Sequence, residues 1–368
     1  MASSDSFALC KTERLSAKPC LESDLGRSSD ETGTARSIAR AAALLQSGGT
    51  VAFPTETVYG LGANALDAGA VLRIFAAKQR PDWDPLIVHI AGREMLAQVA
   101  DLNRLSPEIR ERMEALMAAF WPGPLTLLLP RTAAIPDAVT AGRTLVGVRM
   151  PRHPLALALI RSTGLPLAAP SANRFGHTSP TTAEHVLEDL DDRIDAVLDG
   201  GPAEVGLEST VLDPAPTPMV IYRPGAVTAA MIADVAGAGV VSFVSHSSGA
   251  APESLPSPGG GIRHYAPRAR LHLVALPAES PAAAWLETLP RLPPGAALLL
   301  PNGWPAPSSC LTFNWGSWSH PDELAHNLYA GLRALDTPET IAIVCPIPAG
   351  EGVAAALRDR LEKAARTH

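Results

Sequence analysis

One feature recurs along this chain: a short aliphatic run that stops at a proline and leaves a polar group at its end. VAF at 51–53 stops at Pro54, and LTLLLP at 125–130 ends in proline. TLVGVR at 144–149 is broken by Pro151, LPLAA at 165–169 meets Pro170, and MVIY at 219–222 runs into Arg223-Pro224. Runs of this kind are strands, and proline cannot donate to a ladder, so each stop marks a strand end. Helical spacing fills the intervals at 35–46, 68–77 (with Asp67 as cap), 93–100, 107–120, 154–163 and 182–190. Strands alternating with helices, with several strand–turn–strand links, predict an α/β domain on a mixed sheet. Polar groups collected at strand ends are the usual form of an α/β ligand site.

With 368 residues there is room for two domains. Composition shifts to Ser, Gly, Ala and Pro around 242–267, and strand–helix alternation resumes at Arg270 with LHLVAL, ALLLP and TIAIVCP. The predicted layout is a disordered extension over 1–34, a main α/β domain over 35–240, a linker over 241–269 and a small α/β domain over 270–368. A bland spacer needs no Arg263-His264-Tyr265, so this end of the linker is expected to touch something. The net charge of −7 argues against an extended nucleic-acid surface but allows a local basic pocket. Cys10, Cys20, Cys310 and Cys345 lack metal spacing, which fits a reducing cytoplasm. No apolar run reaches the ~18 residues of a membrane span, and the N-terminus lacks an apolar signal core.

Chemistry concentrates between Thr50 and His89. A loop holds Thr55, Glu56 and Thr57, a helix end delivers Lys78 and Arg80, and the next strand carries His89. Taken singly, Lys78 and Arg80 also suit a helix C-terminus, and His89 also suits a core. Arg149 and Arg223 end apolar strands, where a guanidinium is unfavourable unless paired or bound to a ligand, and Glu208-Ser209-Thr210 opens another strand in the same style. Gly60-Leu61-Gly62 fits a dinucleotide fingerprint only formally, since no fitting acid follows. Gly201 and Gly206 have phosphate-loop spacing, but Leu207-Glu208 replace the required Lys-Ser/Thr. No Ser–His–Asp or Cys–His pattern supports covalent catalysis. What is left is charge neutralisation: a cationic set able to hold a triphosphate and a carboxylate together, for a transfer that relies on positioning.

PTETVYGLG (54–62), KQRP (78–81), PLIVHI (85–90), FWPGPLT (120–126), VRMP (148–151), PSAN (170–173), SPT (179–181), ESTV (208–211) and RPG (223–225) follow one another in the order of the YrdC-like family. SPG-x3-RHYAP at 257–267 resembles the linker of its long, two-domain form, the threonylcarbamoyl-AMP synthases. The resemblance implies a twisted mixed sheet with a large concave, positively charged cavity, plus a small C-terminal Rossmann-like domain. It implies a reaction of L-threonine, bicarbonate or CO2, and ATP to threonylcarbamoyl-adenylate and pyrophosphate. A separate transferase complex then carries the group to tRNA, next to the anticodon.

Carried over motif by motif, Thr57, His89, Arg149, Ala169 and Ser209 would bind threonine, with Arg149 on its carboxylate. Lys78, Arg80, Ser171 and Asn173 would form the catalytic tetrad around the phosphates. Arg80, Asp84, Leu145, Ser171, Ser179, Arg223 and Tyr265 would bind ATP, with Mg2+ carried by its phosphates and no metal ligand from the protein. Other readings are a double-stranded RNA-binding module, or weak tRNA contact, and a carbamoyl-adenylate-forming carbamoyltransferase. Asp84 stands where the family commonly has Asn, Gly259 to Ile262 replace bulkier lid residues, and the N-terminal extension is longer than the family needs.

Overall fold

The computed structural model describes residues 11–18, 29–237, 239, 241–243 and 264–366. Its first sheet has eleven strands: β1 (Glu13–Ser16), β2 (Val51–Phe53), β3 (Gly60–Asn64), β4 (Ile87–His89), β5 (Leu125–Pro130), β6 (Leu145–Arg149), β7 (Leu167–Ala168), β8 (Ala196–Asp199), β9 (Thr210–Asp213), β10 (Met219–Arg223) and β11 (Val241–Phe243). Across the sheet they run β1-β8-β2-β3-β7-β4-β6-β5-β9-β10-β11. Parallel pairs such as β4 with β6 and β5 with β9 mingle with antiparallel ones such as β3 with β7 and β5 with β6. The sheet is therefore mixed, as its blend of tight turns and helical crossovers requires.

Eight helices cover this sheet: α1 (Ser29–Gln46), α2 (Ala68–Lys78), α3 (Arg93–Val99), α4 (Pro107–Phe120), α5 (Asp137–Thr140), α6 (Pro154–Thr163), α7 (Ala183–Leu190) and α8 (Ala229–Ala236). Local chemistry sets their starts. Asp67 accepts from the Gly69 and Ala70 amides at α2, and Ser106 and Thr182 cap α4 and α7 in the same way. Their apolar faces bury Leu45, Ile74 and Leu159 against Val51, Leu61, Val88 and Val148 of the sheet.

Residues 13–16 depart from the expected disorder. They form β1, in parallel register with Ala196–Asp199, and Arg14 bridges Glu184 and Asp199. An edge strand needs only one inward apolar side chain, here Leu15, so its polar composition masks it. The first helix also begins earlier, at Ser29, and residues 1–10 and 19–28 lie outside the described residues. Gly60 and Gly62 belong to β3. A Cβ on Gly62 would lie 2.7 Å from Phe53 Cε1, so this glycine serves close strand packing. Of the expected linker, Val241–Phe243 joins the main sheet as β11 beside β10. Arg263 and the glycines at 259–261 lie outside the described residues.

The second sheet holds β12 (Arg270–Ala275), β13 (Ala296–Leu300), β14 (Thr312–Asn314) and β15 (Ala342–Ile347), all parallel in the order β12-β15-β13-β14. Helices α9 (Pro281–Leu286), α10 (Pro321–Leu335) and α11 (Val353–Ala365) complete this Rossmann-like unit. Its core takes in Val58, Leu207 and Tyr265 from outside its own sequence. The approach is close: Gly206 has φ +78, and a Cβ there would sit 2.5 Å from the Ala325 carbonyl of α10.

Candidate functional site

Strand register assembles the site. His89 and Arg149 are direct partners across β4 and β6, and Arg223 pairs with Val211. A bulge between Ile221 and Arg223 re-aims the Arg223 side chain. The starts of β5 and β9 bring Thr126 and Ser209 to the same end of the sheet. Gly60, bridged to Ser171, and the segment after β7 close the opposite wall. The result is a narrow pocket with about 50 Å³ of free volume. It gathers Thr57, Arg80, His89, Arg149, Ala169, Ser171, Ser209, Arg223 and Tyr265 from the expected set, and adds Thr55, Glu208 and His264.

Arg149 is clamped from behind. Nη2 donates to Glu56 Oε1 at 2.6 Å, Nη1 to the Thr57 hydroxyl at 2.9 Å and Nε to the Gly123 carbonyl at 3.2 Å. A guanidinium has five N–H groups, so among the described residues one N–H on each terminal nitrogen has no acceptor. That is the fork a carboxylate fits. Burial pushes the Glu56 carboxyl up, but the Arg149 charge and hydrogen bond outweigh it and hold it below the usual carboxylate range. Burial, and then the Arg149 charge, depress His89 to about 3, so its ring is neutral near pH 7.

Arg223 donates through Nε to the Ser209 carbonyl and through Nη2 to its hydroxyl, both at 3.0 Å, and Thr126 sits 2.8 Å from that hydroxyl. Arg80 donates to the Asp84 and Pro85 carbonyls and pairs with the Asp84 carboxylate at 2.9 Å. The two charges thereby balance each other. Glu208 accepts from Ser179 at 2.6 Å and from Arg360 Nε at 2.7 Å. Four buried polar atoms of pocket-lining residues have no acceptor or donor among the described residues: His89 Nδ1, both His264 nitrogens and the Tyr265 hydroxyl. Each such atom is unfavourable by about 1–3 kcal/mol, and their gathering around one pocket marks it as a place where a polar ligand is received.

Five expected residues do not line this pocket: Lys78, Asp84, Leu145, Asn173 and Ser179. Lys78 lies behind it and donates to the Ser171 and Asn173 carbonyls, bracing that loop. Burial, and then the neighbouring Arg80 charge, pull its pKa well down. Asn173 is turned inward to the Arg174 and His177 carbonyls, and Ser179 to Glu208. Leu145 packs with Tyr222 against Ile87 and Val211. The partners that sequence reasoning missed are Glu56 as the support of Arg149, and Tyr329 and Arg360 as supports of Glu208. Glu56 and Glu208 stood within noticed motifs, but nothing local says which arginine each meets.

No group of three or more His, Cys, Asp or Glu is placed to hold a metal among the described residues. The acids beside the pocket, Glu56, Asp84 and Glu208, are each engaged by an arginine. No described helix is long and apolar enough to cross a membrane.

Known proteins share this sequence and fold. The Sua5–YciO–YrdC family, described as telomere recombination, matches residues 43–225, and the C-terminal domain of threonylcarbamoyl-AMP synthase matches 227–366. The chain is 40% identical over 324 residues to threonylcarbamoyl-AMP synthase of Pyrococcus abyssi, covering 88% of this chain and 92% of that protein. It is 52% identical over 235 residues to the Bacillus subtilis enzyme of that name, covering 64% of this chain and 65% of the relative. A Schizosaccharomyces pombe relative of the same name is 38% identical, over 86% of this chain and 84% of its own. The crystal structure of P. abyssi Sua5 complexed with L-threonine superposes with a TM-score of 0.83 at 37% identity, over 96% of this chain and 98% of that one. Sheet order, the paired arginine pocket and relatives matched along most of the chain converge, and the chain belongs to the two-domain threonylcarbamoyl-AMP synthase family.

Proposed function

We infer that the protein is an L-threonylcarbamoyladenylate synthase, a nucleotidyltransferase that makes threonylcarbamoyl-AMP and pyrophosphate from L-threonine, bicarbonate or CO2, and ATP. The observation that carries this is the set of arginines in one pocket. Arg149 offers an open fork beside the Thr57 hydroxyl, while Arg223, bonded to Ser209, and Arg80 line the same pocket as further cations. The fork suits an amino-acid carboxylate, the further cations a triphosphate.

In this reading Arg149 binds the threonine carboxylate, and Thr57, Ser209, neutral His89 and the Ala169 backbone orient the rest. The amine loses a proton to solvent or to a substrate oxygen and adds to CO2; from bicarbonate, one water also leaves. A carbamate oxygen then attacks the α-phosphorus, the bond to the bridging oxygen breaks, and pyrophosphate departs with the electron pair. Arg80 and Arg223 neutralise the phosphates, while Lys78 holds the Ser171–Asn173 loop against them. These groups are fixed before substrate arrives, and catalysis is positioning and electrostatic preorganisation. Mg2+ would enter on the phosphates and add to that neutralisation. The product would pass to a tRNA-modifying transferase, as a mixed anhydride needs a prompt acceptor.

Pyrophosphate release from ATP and bicarbonate tests this, with L-threonine, with L-serine and without amino acid. Threonine-dependent release that falls in Arg149→Ala and Lys78→Ala is expected. ATP bound with no threonine dependence overturns the assignment.

A further inference from the structure

The nucleotide side of the pocket is built partly by the second unit. Tyr265 is 1% exposed and has φ 64, a region unfavourable for a tyrosine. Its ring stacks on Tyr329 of α10 with centroids 5.9 Å apart, and the Arg360 guanidinium of α11 lies 5.1 Å from its centroid. The same two residues seize Glu208. The Tyr329 hydroxyl lies 3.1 and 2.9 Å from its two oxygens, and Arg360 Nε donates at 2.7 Å. Arg360 Nη2 also donates to the Pro224 carbonyl at 2.9 Å, tying α11 to the segment that follows Arg223. Arg360 is completely buried, an uncommon state for arginine that needs full pairing.

We propose that Arg360 and Tyr329 are positioning residues for ATP: they hold Tyr265 as a pocket wall and cancel the charge of Glu208. This rests on the synthase reading and deepens it, since it makes the C-terminal unit a structural part of the adenylation site. Two physical effects follow from one latch. Glu208 lines the pocket next to Ser209 and Arg223, so a carboxylate freed from Arg360 would repel the triphosphate. Tyr265 would lose the stacking and cation–π contacts that keep it in its unfavourable conformation. Both effects fall on ATP. Threonine, a zwitterion held at the Arg149 end, is spared.

The test compares Arg360→Met and Tyr329→Phe with the parent chain. His326→Ala serves as control: it removes another contact between the units, His326 Nδ1 to the Glu204 carbonyl at 2.8 Å, one turn of α10 from Tyr329 and without a bond to Glu208, Tyr265 or Arg360. KM for ATP should rise roughly tenfold or more in Arg360→Met and severalfold in Tyr329→Phe, with KM for threonine within about twofold. Hydrogen exchange at the Ala266 amide, which donates to the Gly176 carbonyl at 2.9 Å, should quicken in both and not in the control. Unchanged ATP kinetics and exchange in folded Tyr329→Phe overturn the proposal. So does a control that behaves like the latch variants, which would assign the effect to docking in general. If the parent forms no threonylcarbamoyl-AMP, the synthase reading fails, and exchange at Ala266 still decides whether the latch exists.

Discussion

Replacing Arg149 by methionine separates a structural role from a substrate role. The side chain keeps its apolar stem but loses the guanidinium. Glu56, 1% exposed, then keeps only the Arg152 amide at 3.0 Å on its other oxygen. Breaking one side of a buried pair leaves an uncompensated charge, at about 3–5 kcal/mol. For a unit of this size that is a fall in Tm of roughly 6–20 °C. Adding Glu56→Gln removes the charge, so the residual loss should shrink to about 1–2 kcal/mol from unmade hydrogen bonds. Threonine binding should not return. A lost bidentate, charge-assisted carboxylate contact is worth about 3 kcal/mol, or roughly 100-fold in affinity. Thermal unfolding followed by circular dichroism, with calorimetric titration of L-threonine, reads both quantities. A single variant that melts like the parent, or a double variant that regains threonine affinity, refutes the reasoning.

Asp84→Asn removes the counter-charge of buried Arg80, so Tm should fall without ATP, ATP should restore it, and nucleotide titration should show tighter binding than in the parent. In acid, Glu56 and Glu208 contribute stability that is full above the usual 4.5 and is lost as pH falls through their lower folded values. His89 acts earlier: depressed from 6.5 to about 3, it stays neutral when folded, so stability declines as pH drops below about 6.5. His153, His185 and His264 are depressed as well, so His89→Gln should flatten that limb of a denaturation-versus-pH curve without abolishing it. Gly62→Ala places a methyl against the buried Phe53 ring and should lower stability by about 1–3 kcal/mol in urea unfolding, with a parent-like Tm counting against the packing argument.

The strand ends were legible because the signal is local: an aliphatic run, a proline stop and one polar side chain fix both the element and where it points. That logic reached His89, Arg149, Ser209 and Arg223, which the structure does bring together. Lys78 and Asn173 do not line the pocket, because the PSAN turn that forms one of its walls also folds back, and the Ser171 and Asn173 carbonyls accept from Lys78 Nζ. Pairings were out of reach. Glu56 and Arg149 are 93 positions apart, and Glu208 and Arg360 are 152 apart, so only topology decides which acid meets which base. Arg360 was least visible, because an arginine on an amphipathic helix reads as solvated in any sequence.

The pairings also explain how an acidic chain holds a cationic pocket. Arg149 and Arg80 each meet one acid, Glu56 at 2.6 Å and Asp84 at 2.9 Å, and Arg360 meets two, Glu208 at 2.7 Å and Asp359 at 2.5 Å. Without these acids an empty pocket would concentrate like charges in a medium of low dielectric, which is strongly unfavourable. With them the guanidiniums are locked from behind while part of their hydrogen-bonding capacity stays open, as at Arg149. A carboxylate or phosphate then meets donors already aimed, and little reorganisation is needed on binding. The acids therefore set the geometry of the arginines as much as they balance their charge. This is why removing one acid should alter substrate affinity even where the acid itself never touches substrate.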